Sequence, residues 1–340
     1  MKSIVLILLF SMSLMAQSEA KKEYNILVIF SYVPSSWNTN GLIGVKNAFD
    51  ASNLKLRAYD CVYDNIQVRN KNAQKDELAK IKNLIKTKKI DGIVIFDDEA
   101  SDDLITELKE LNLPIAATGI NKNRNEIKWL DKNSKISIIY ERYPFEKSIK
   151  LLKKMDAGIK KIKILTTENE SSNRITNQLL KKLANTKNTI AGITLSETHI
   201  TKEWEDWKKV IINTKGDDEA LFILVPWNVY KDGVEIDLRE MGRFYQANSK
   251  VPSIGIVDIN TQMGFLASFY VHSEDLGFQA GSSLITHLIA DKSANNIEDT
   301  VKKTRFVLNK ERMNALGLKI PLEVLDMATI KEKVELKVKR

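Results

Sequence analysis

The sequence predicts an α/β protein made of two doubly wound parallel-sheet lobes. Three observations carry that prediction. Short runs of consecutive apolar, β-branched residues recur along the chain, the pattern of parallel strands covered by helices on both faces. Amphipathic segments of helical period separate these runs. The chain has 340 residues, beyond the length of about 250 to 300 at which one core usually divides into two.

The first strand is 25–30 (NILVIF), followed by the turn-like Pro34-Ser35-Ser36 and a helical pattern over 42–51. Residues 54–59 read as a strand, and 74–87 as a helix with Leu78, Ile81, Leu84 and Ile85 on one face. The strand 92–96 (GIVIF), the helix 102–111 and the strand 114–118 follow. From about Ile136 the pattern restarts with a helix containing Ile149, Leu151 and Leu152. Strands at 162–165, 192–195, 220–225, 253–257 and 264–271 alternate with helices at 172–183, 204–212 and 238–247. No Pro-rich or Gly/Ser-rich linker separates the halves, so the expected junction is a hinge of strands crossing between lobes.

Residues 1–20 are different in kind. Lys2 supplies a positive start, 4–10 is an unbroken apolar run, and Ser18-Glu19-Ala20 offers small residues for cleavage. The apolar stretch, interrupted by Ser11 and Ser13, falls short of the roughly 20 residues that span a bilayer, so it reads as a cleaved secretory signal. The only cysteine, Cys61, has no internal partner in an exported chain and reads as a buried apolar residue or a free thiol. Cleavage removes Lys2 and Glu19 together, so the net charge of +8 belongs to the mature protein. Lys and Glu alternate along the helical segments, and the densest basic cluster is 331–340. That distribution describes a solvated surface and excludes a nucleic-acid partner, which would call for a basic stripe interleaved with aromatics.

Ligands of open parallel sheets bind beyond the carboxyl ends of the strands. In the first half those positions hold Ser31, Tyr32, Ser35, Ser36 and Trp37, then Asp97, Asp98 and Glu99, then Thr118, Gly119 and Asn121. In the second half they hold Thr166, Thr167, Glu168, Pro226, Trp227, Asn228 and Asp258. Hydroxyls, carboxylates and aromatics in this combination suit a small polar ligand. Plainer readings stand beside these. Trp37 and Trp227 also suit loop packing, adjacent carboxylates also favour a helix N-terminus, and Asp258 also suits a turn. Asp97, Asp98 and Glu99 further suit a divalent cation. His199 falls in a polar loop, His272 after a strand and His287 in mid-helix, none with a partner at metal spacing. The chain has no Gly-rich phosphate loop, GxSxG, HExxH or CxxC, and no cofactor or resident metal is expected.

Several of these segments resemble one family. NILVIFSYVPSSWNTNGLIGVKNAF, IDGIVIFDDEASDDLI and LPIAATGIN resemble segments of the ABC transporter substrate-binding family and of related extracytoplasmic sensor domains. The closing stretch from LGFQAGSS to LGLKIPLEVLDMA resembles the end of the same family. The resemblance implies a type I periplasmic binding fold with lobe one at 21–134 plus 264–291 and lobe two at 135–263 plus 292–340. A ligand would lie between the lobes and be enclosed by hinge closure. Its expected contacts are Ser31, Tyr32, Ser36, Trp37, Asp97, Asp98 and Thr118 from lobe one, and Thr167, Trp227 and Asp258 from lobe two.

The expected protein is therefore a non-enzymatic, monomeric, periplasmic solute-binding protein delivering a small polar or aromatic-bearing molecule to an ABC permease. The alternatives are a ligand-sensing subunit that signals to a membrane histidine kinase, and an exported α/β enzyme using Asp97, Asp98 or Glu99 with a metal.

Overall fold

The computed structural model describes residues 22–64, 70–130, 135–289 and 296–332. The expected signal at 1–20 and most of the basic tail lie outside them. In chain order the first part comprises β1 (Glu23–Phe30), α1 (Ser36–Ala51), β2 (Lys55–Val62), α2 (Lys71–Lys88), β3 (Gly92–Phe96), α3 (Asp98–Leu108), β4 (Ile115–Ile120) and β5 (Ile136–Tyr140). The second comprises α4 (Phe145–Met155), β6 (Lys161–Thr166), α5 (Glu170–Ala184), β7 (Thr189–Ile190), β8 (Ile193–Ile200), α6 (Trp204–Asn213) and β9 (Glu219–Ile223). A hairpin of β10 (Tyr230–Lys231) and β11 (Val234–Glu235) precedes α7 (Leu238–Asn248), β12 (Ser253–Gly255), α8 (Asp258–Gln262) and β13 (Ala267–Tyr270). The chain continues through α9 (Ser273–Ile289), β14 (Ile297–Thr300), β15 (Arg305–Asn309), α10 (Lys310–Ala315), α11 (Leu322–Leu325) and β16 (Thr329–Lys331).

Two sheets organise these elements. The first, in the order β14-β5-β4-β3-β1-β2, is parallel throughout. The second, in the order β16-β15-β13-β12-β9-β6-β8-β7, is parallel except at β13/β15 and β7/β8. The unbroken apolar strands follow from burial on both faces. In β1, Leu27 and Ile29 join the core under α2 and α3, while Ile26, Val28 and Phe30 join the core under α1 and α9. Ile93 and Ile95 of β3 divide in the same way from Val94 and Phe96. In the second lobe Ile162 and Ile164 face α4 and α5, and Leu165 faces α6 and α7.

The strand memberships differ from the expected lobe boundaries. ISIIY at Ile136–Tyr140 is a buried, mostly apolar strand that pairs with β4, so the chain leaves the first sheet after Tyr140 and not at residue 135. At the return, β13 pairs with β12 inside the second sheet, and only the following α9 packs on the first lobe. The segment containing β14, expected in lobe two, forms the edge of the first sheet beside β5. His199 lies in β8 and not in a loop. Cys61 is a free, half-buried thiol that burial pushes up to about 12.

Candidate functional site

The described segments 141–144, 271–272 and 301–304 cross between the sheets, which bring their strand ends face to face. Helix α5 of the second lobe reaches the first: Arg174 Nη1 lies 3.3 Å from Asp98 Oδ2, and Gln178 Nε2 donates to the Asn121 carbonyl at 2.9 Å. On the other side His272, just past β13, meets Asn40 of α1 at 3.4 Å.

The turn after β3 is the most constrained part of the first lobe's rim. Asp97 adopts φ +73°, ψ 163°, a region that side chains rarely enter. Ser31 holds the turn from beneath, its hydroxyl donating to the Phe96 carbonyl at 2.8 Å and accepting from the Ala100 amide at 3.0 Å. The Asp97 amide donates to the Thr118 carbonyl at 2.8 Å. Gly119 completes the fit, since a Cβ there would lie 3.0 Å from Asp97 Oδ1, at a φ of +73°. Asp98 opens α3 and accepts from the backbone amides of Asn121 at 3.0 Å and Lys122 at 3.2 Å, fixing the loop after β4.

Acidic and aromatic groups gather around this turn. Glu141, at the end of β5, is only 3% exposed; burial raises its carboxyl to about 7, although Asn121 Nδ2 donates to it at 3.1 Å and Tyr143 also donates. Burial, reinforced by Glu141, Glu99 and Asp98, also holds Asp97 well above the usual carboxylate range. Glu99 is raised by burial and accepts the Tyr32 phenol. Tyr143 is pushed far above the ordinary phenol value by burial and by these carboxylates; Tyr32, 37% exposed, is raised in the same direction by its packed side and by Asp97 and Glu99. The indole of Trp37 packs on the α1 side of the first core and faces Asp97 without closing a hydrogen bond, leaving Nε1 and Asp97 Oδ2 both buried and unpartnered.

The second lobe contributes a built loop. Thr167 Oγ1 donates to the Asn228 carbonyl at 2.8 Å, and Asn169, the cap of α5, donates to the Asn228 side chain at 3.2 Å. These bonds fix the segment after β9 that carries Trp227, which packs partly against the second core. Asp258 begins α8 with an exposed edge; burial of the rest raises its carboxyl, and its charge reaches Tyr270 and His272 on the crossing segment.

The structure therefore brings Tyr32, Trp37, Asp97 and Asp98 together on the first lobe and sets Trp227 and Asp258 on the second. Ser36 is exposed at the start of α1. Ser31, Thr118 and Thr167 are fully buried, with hydroxyls spent on backbone carbonyls, and they support the rim from inside. Glu141, Tyr143 and Arg174 went unselected in the sequence; reading ISIIY as a strand would have exposed the first two as strand-end residues. Among the described residues no group of three or more His, Cys, Asp or Glu could hold a metal ion. A groove of about 420 Å³ is lined by β8, the Thr201 turn and α6, and its Lys163, His199 and Lys209 are already paired with carboxylates.

Two facing doubly wound lobes with polar and aromatic groups at opposed strand ends define the class of type I periplasmic binding proteins. The family model described as "ABC transporter substrate binding protein" matches residues 43–332, and the chain belongs to that family. Membership implies a small-molecule ligand and an ABC transporter as partner, in a family of solute-binding proteins and not of enzymes. Among solved structures, the chain is similar to the ligand-free, open form of CD0873, a substrate-binding protein with adhesive properties from Clostridium difficile. That match has 17% identity and a TM-score of 0.68, and covers 91% of this chain and 99% of that one. An ABC domain from Streptococcus pneumonia in complex with L-Trp has 19% identity and a TM-score of 0.61, with the same coverage of 91% and 99%. A carbohydrate transporter solute-binding protein from Agrobacterium Radiobacter in complex with D-arabinose has 13% identity and a TM-score of 0.50, again covering 91% and 99%. No match is found among curated proteins. No helix of the described residues is long and apolar enough to cross a membrane.

Proposed function

We propose that the protein is exported by a signal at residues 1–20, works as a monomer in the periplasm, and captures a small polar or aromatic-bearing solute between its lobes for delivery to an ABC importer. The observation that carries this reading is the gathering of Tyr32, Trp37, Asp97, Glu99 and Glu141 at the first lobe's strand ends, with Tyr143 of the crossing segment beside them; the second lobe offers the Trp227 loop and Asp258 at its own strand ends. Aromatic faces pack on apolar ligand surface, and carboxylates pair with an ammonium or accept from hydroxyls. Closure about segments 141–144, 271–272 and 301–304 then excludes water.

The solved relatives show that one fold holds an amino acid in one protein and a sugar in another, so the choice of solute rests with these side chains. The test is a thermal-shift screen of the mature protein against amino acids, amines, sugars, nucleosides and purines. At least one class raises the melting temperature, and Trp37→Ala and Trp227→Ala each weaken binding of the hit. A screen in which every class leaves the transition unmoved contradicts the reading.

A further inference from the structure

Asp97 is the one carboxylate of the rim with an oxygen sealed in and no hydrogen bond closed on it; the Trp37 N–H faces it as the donor at hand but is neutral and itself unpartnered. The residue is 7% exposed, and its Oδ2 has neither solvent contact nor a hydrogen-bond partner. A buried carboxylate in that state is costly unless a charged donor completes it. A second buried acceptor of the same rim, Asn121 Oδ1, is also unpartnered. The cations nearby are committed elsewhere. Arg174 is paired with Asp98 and Glu170. Arg142 donates to the carbonyls of Ile120, Asn121, Glu141 and Lys122. Lys122 is paired with Asp102. Among the described residues Asp97, Glu99 and Glu141 therefore make no ion pair, and Arg142 and Arg174 act on the two glutamates only through longer-range attraction.

Resting on the solute-binding reading above, we propose that the solute carries a protonated nitrogen seated against Asp97 Oδ2, with Asn121 Oδ1 as a further acceptor, the carboxyls of Glu99 and Glu141 forming an acidic wall, and the Trp37 indole flanking it. An ammonium brings several donors to unfilled acceptors, and its full positive charge lets carboxyls that burial otherwise keeps protonated ionise against it. A sugar hydroxyl supplies a donor without the charge. A bare divalent ion needs several converging carboxylate or imidazole ligands, and among the described residues no such group is assembled.

Matched probes test this in the full mature chain: tryptamine against indole-3-ethanol, and putrescine against 1,4-butanediol, with D-arabinose and calcium chloride as further arms, all read by calorimetric titration beside the broad screen above. The expected result is that the cationic member of at least one pair binds ten-fold or more tightly than its neutral counterpart. Asp97→Asn then loses ten-fold or more of that affinity, and Glu141→Gln, which leaves the strained Asp97 turn untouched, loses at least three-fold. Binding confined to neutral sugars, nucleosides or alcohols, binding of calcium alone, or an unchanged affinity in both variants overturns the assignment while solute binding itself stands. A screen in which nothing binds removes the solute-binding reading and this inference with it.

Discussion

At the residue scale, the rim of the first lobe is held in a conformation that its own backbone disfavours. A non-glycine residue at φ +73°, ψ 163° costs on the order of 1–3 kcal/mol, and Asp97 stays there because Ser31 ties the turn to both the end of β3 and the start of α3. Ser31→Ala leaves the Ala100 amide without that acceptor and lowers unfolding stability by about 1–3 kcal/mol in denaturant titration. Ser31 stood out in the sequence as a strand-end hydroxyl, but nothing in the sequence distinguishes a hydroxyl facing the cleft from one bonding inward.

Protonation is a second effect at this scale. Glu141 holds its proton up to about pH 7 in the folded protein against an ordinary 4.5, and Asp97, Asp98 and Glu99 shift in the same direction. The folded state thus binds these protons more tightly than the unfolded chain. Their contribution to stability is full below the ordinary carboxylate values and is lost as pH rises through the raised ones. His272 and His287 are depressed from 6.5 and give an opposing slope only below that pH. The melting temperature of the free protein therefore falls between pH 6.5 and 8, and Glu141→Gln flattens that fall in a series of calorimetric scans. A wild-type profile that rises over the interval contradicts the assignment.

At the element scale, the first lobe depends on a close helix pair. Gly44 of α1 meets the Glu274 carbonyl, and Gly277 of α9 meets the Gly41 carbonyl, so tightly that a Cβ at either position would overlap backbone. The pair anchors α9, whose N-terminal turn follows directly from crossing segment 271–272. Gly277→Ala forces the helices apart and destabilises the fold by about 1–3 kcal/mol, measurable as a lower denaturation midpoint.

Most of the elements were legible because their signal is local. GIVIF at 92–96 is a strand at the bounds its apolar run gives, and Ile81 and Ile85 are buried on the face that their spacing marked. What failed was one strand and the pairing of others. ISIIY, short and carrying Ser137 within its apolar residues, is passed over between the expected strand at 114–118 and the helix containing Ile149, and the site loses Glu141 and Tyr143 from view as a result. The swap of β13 and β14 between sheets is a failure of pairing, since membership depends on contacts distant in sequence and not on the strand's own residues.

At the scale of the whole molecule, the lobes touch through few polar contacts beyond the crossing segments. Arg174 to Asp98 and Gln178 to Asn121 join α5 to the first lobe's rim. Such bonds bias a hinge that a ligand then closes. Arg174→Ala shifts the free protein toward an open arrangement, read as a larger radius of gyration in small-angle scattering, with a saturating solute restoring the compact value. An unchanged radius in the variant places the control of closure elsewhere.

In the proposed function a solute is bound between the lobes against Trp37 and the Asp97 turn. The most direct measurement is calorimetric titration of a screened solute into wild-type protein and into Trp37→Ala. One site per chain is expected in the wild type and an affinity at least ten-fold weaker in the variant; a solute that binds both proteins equally well is not held by Trp37.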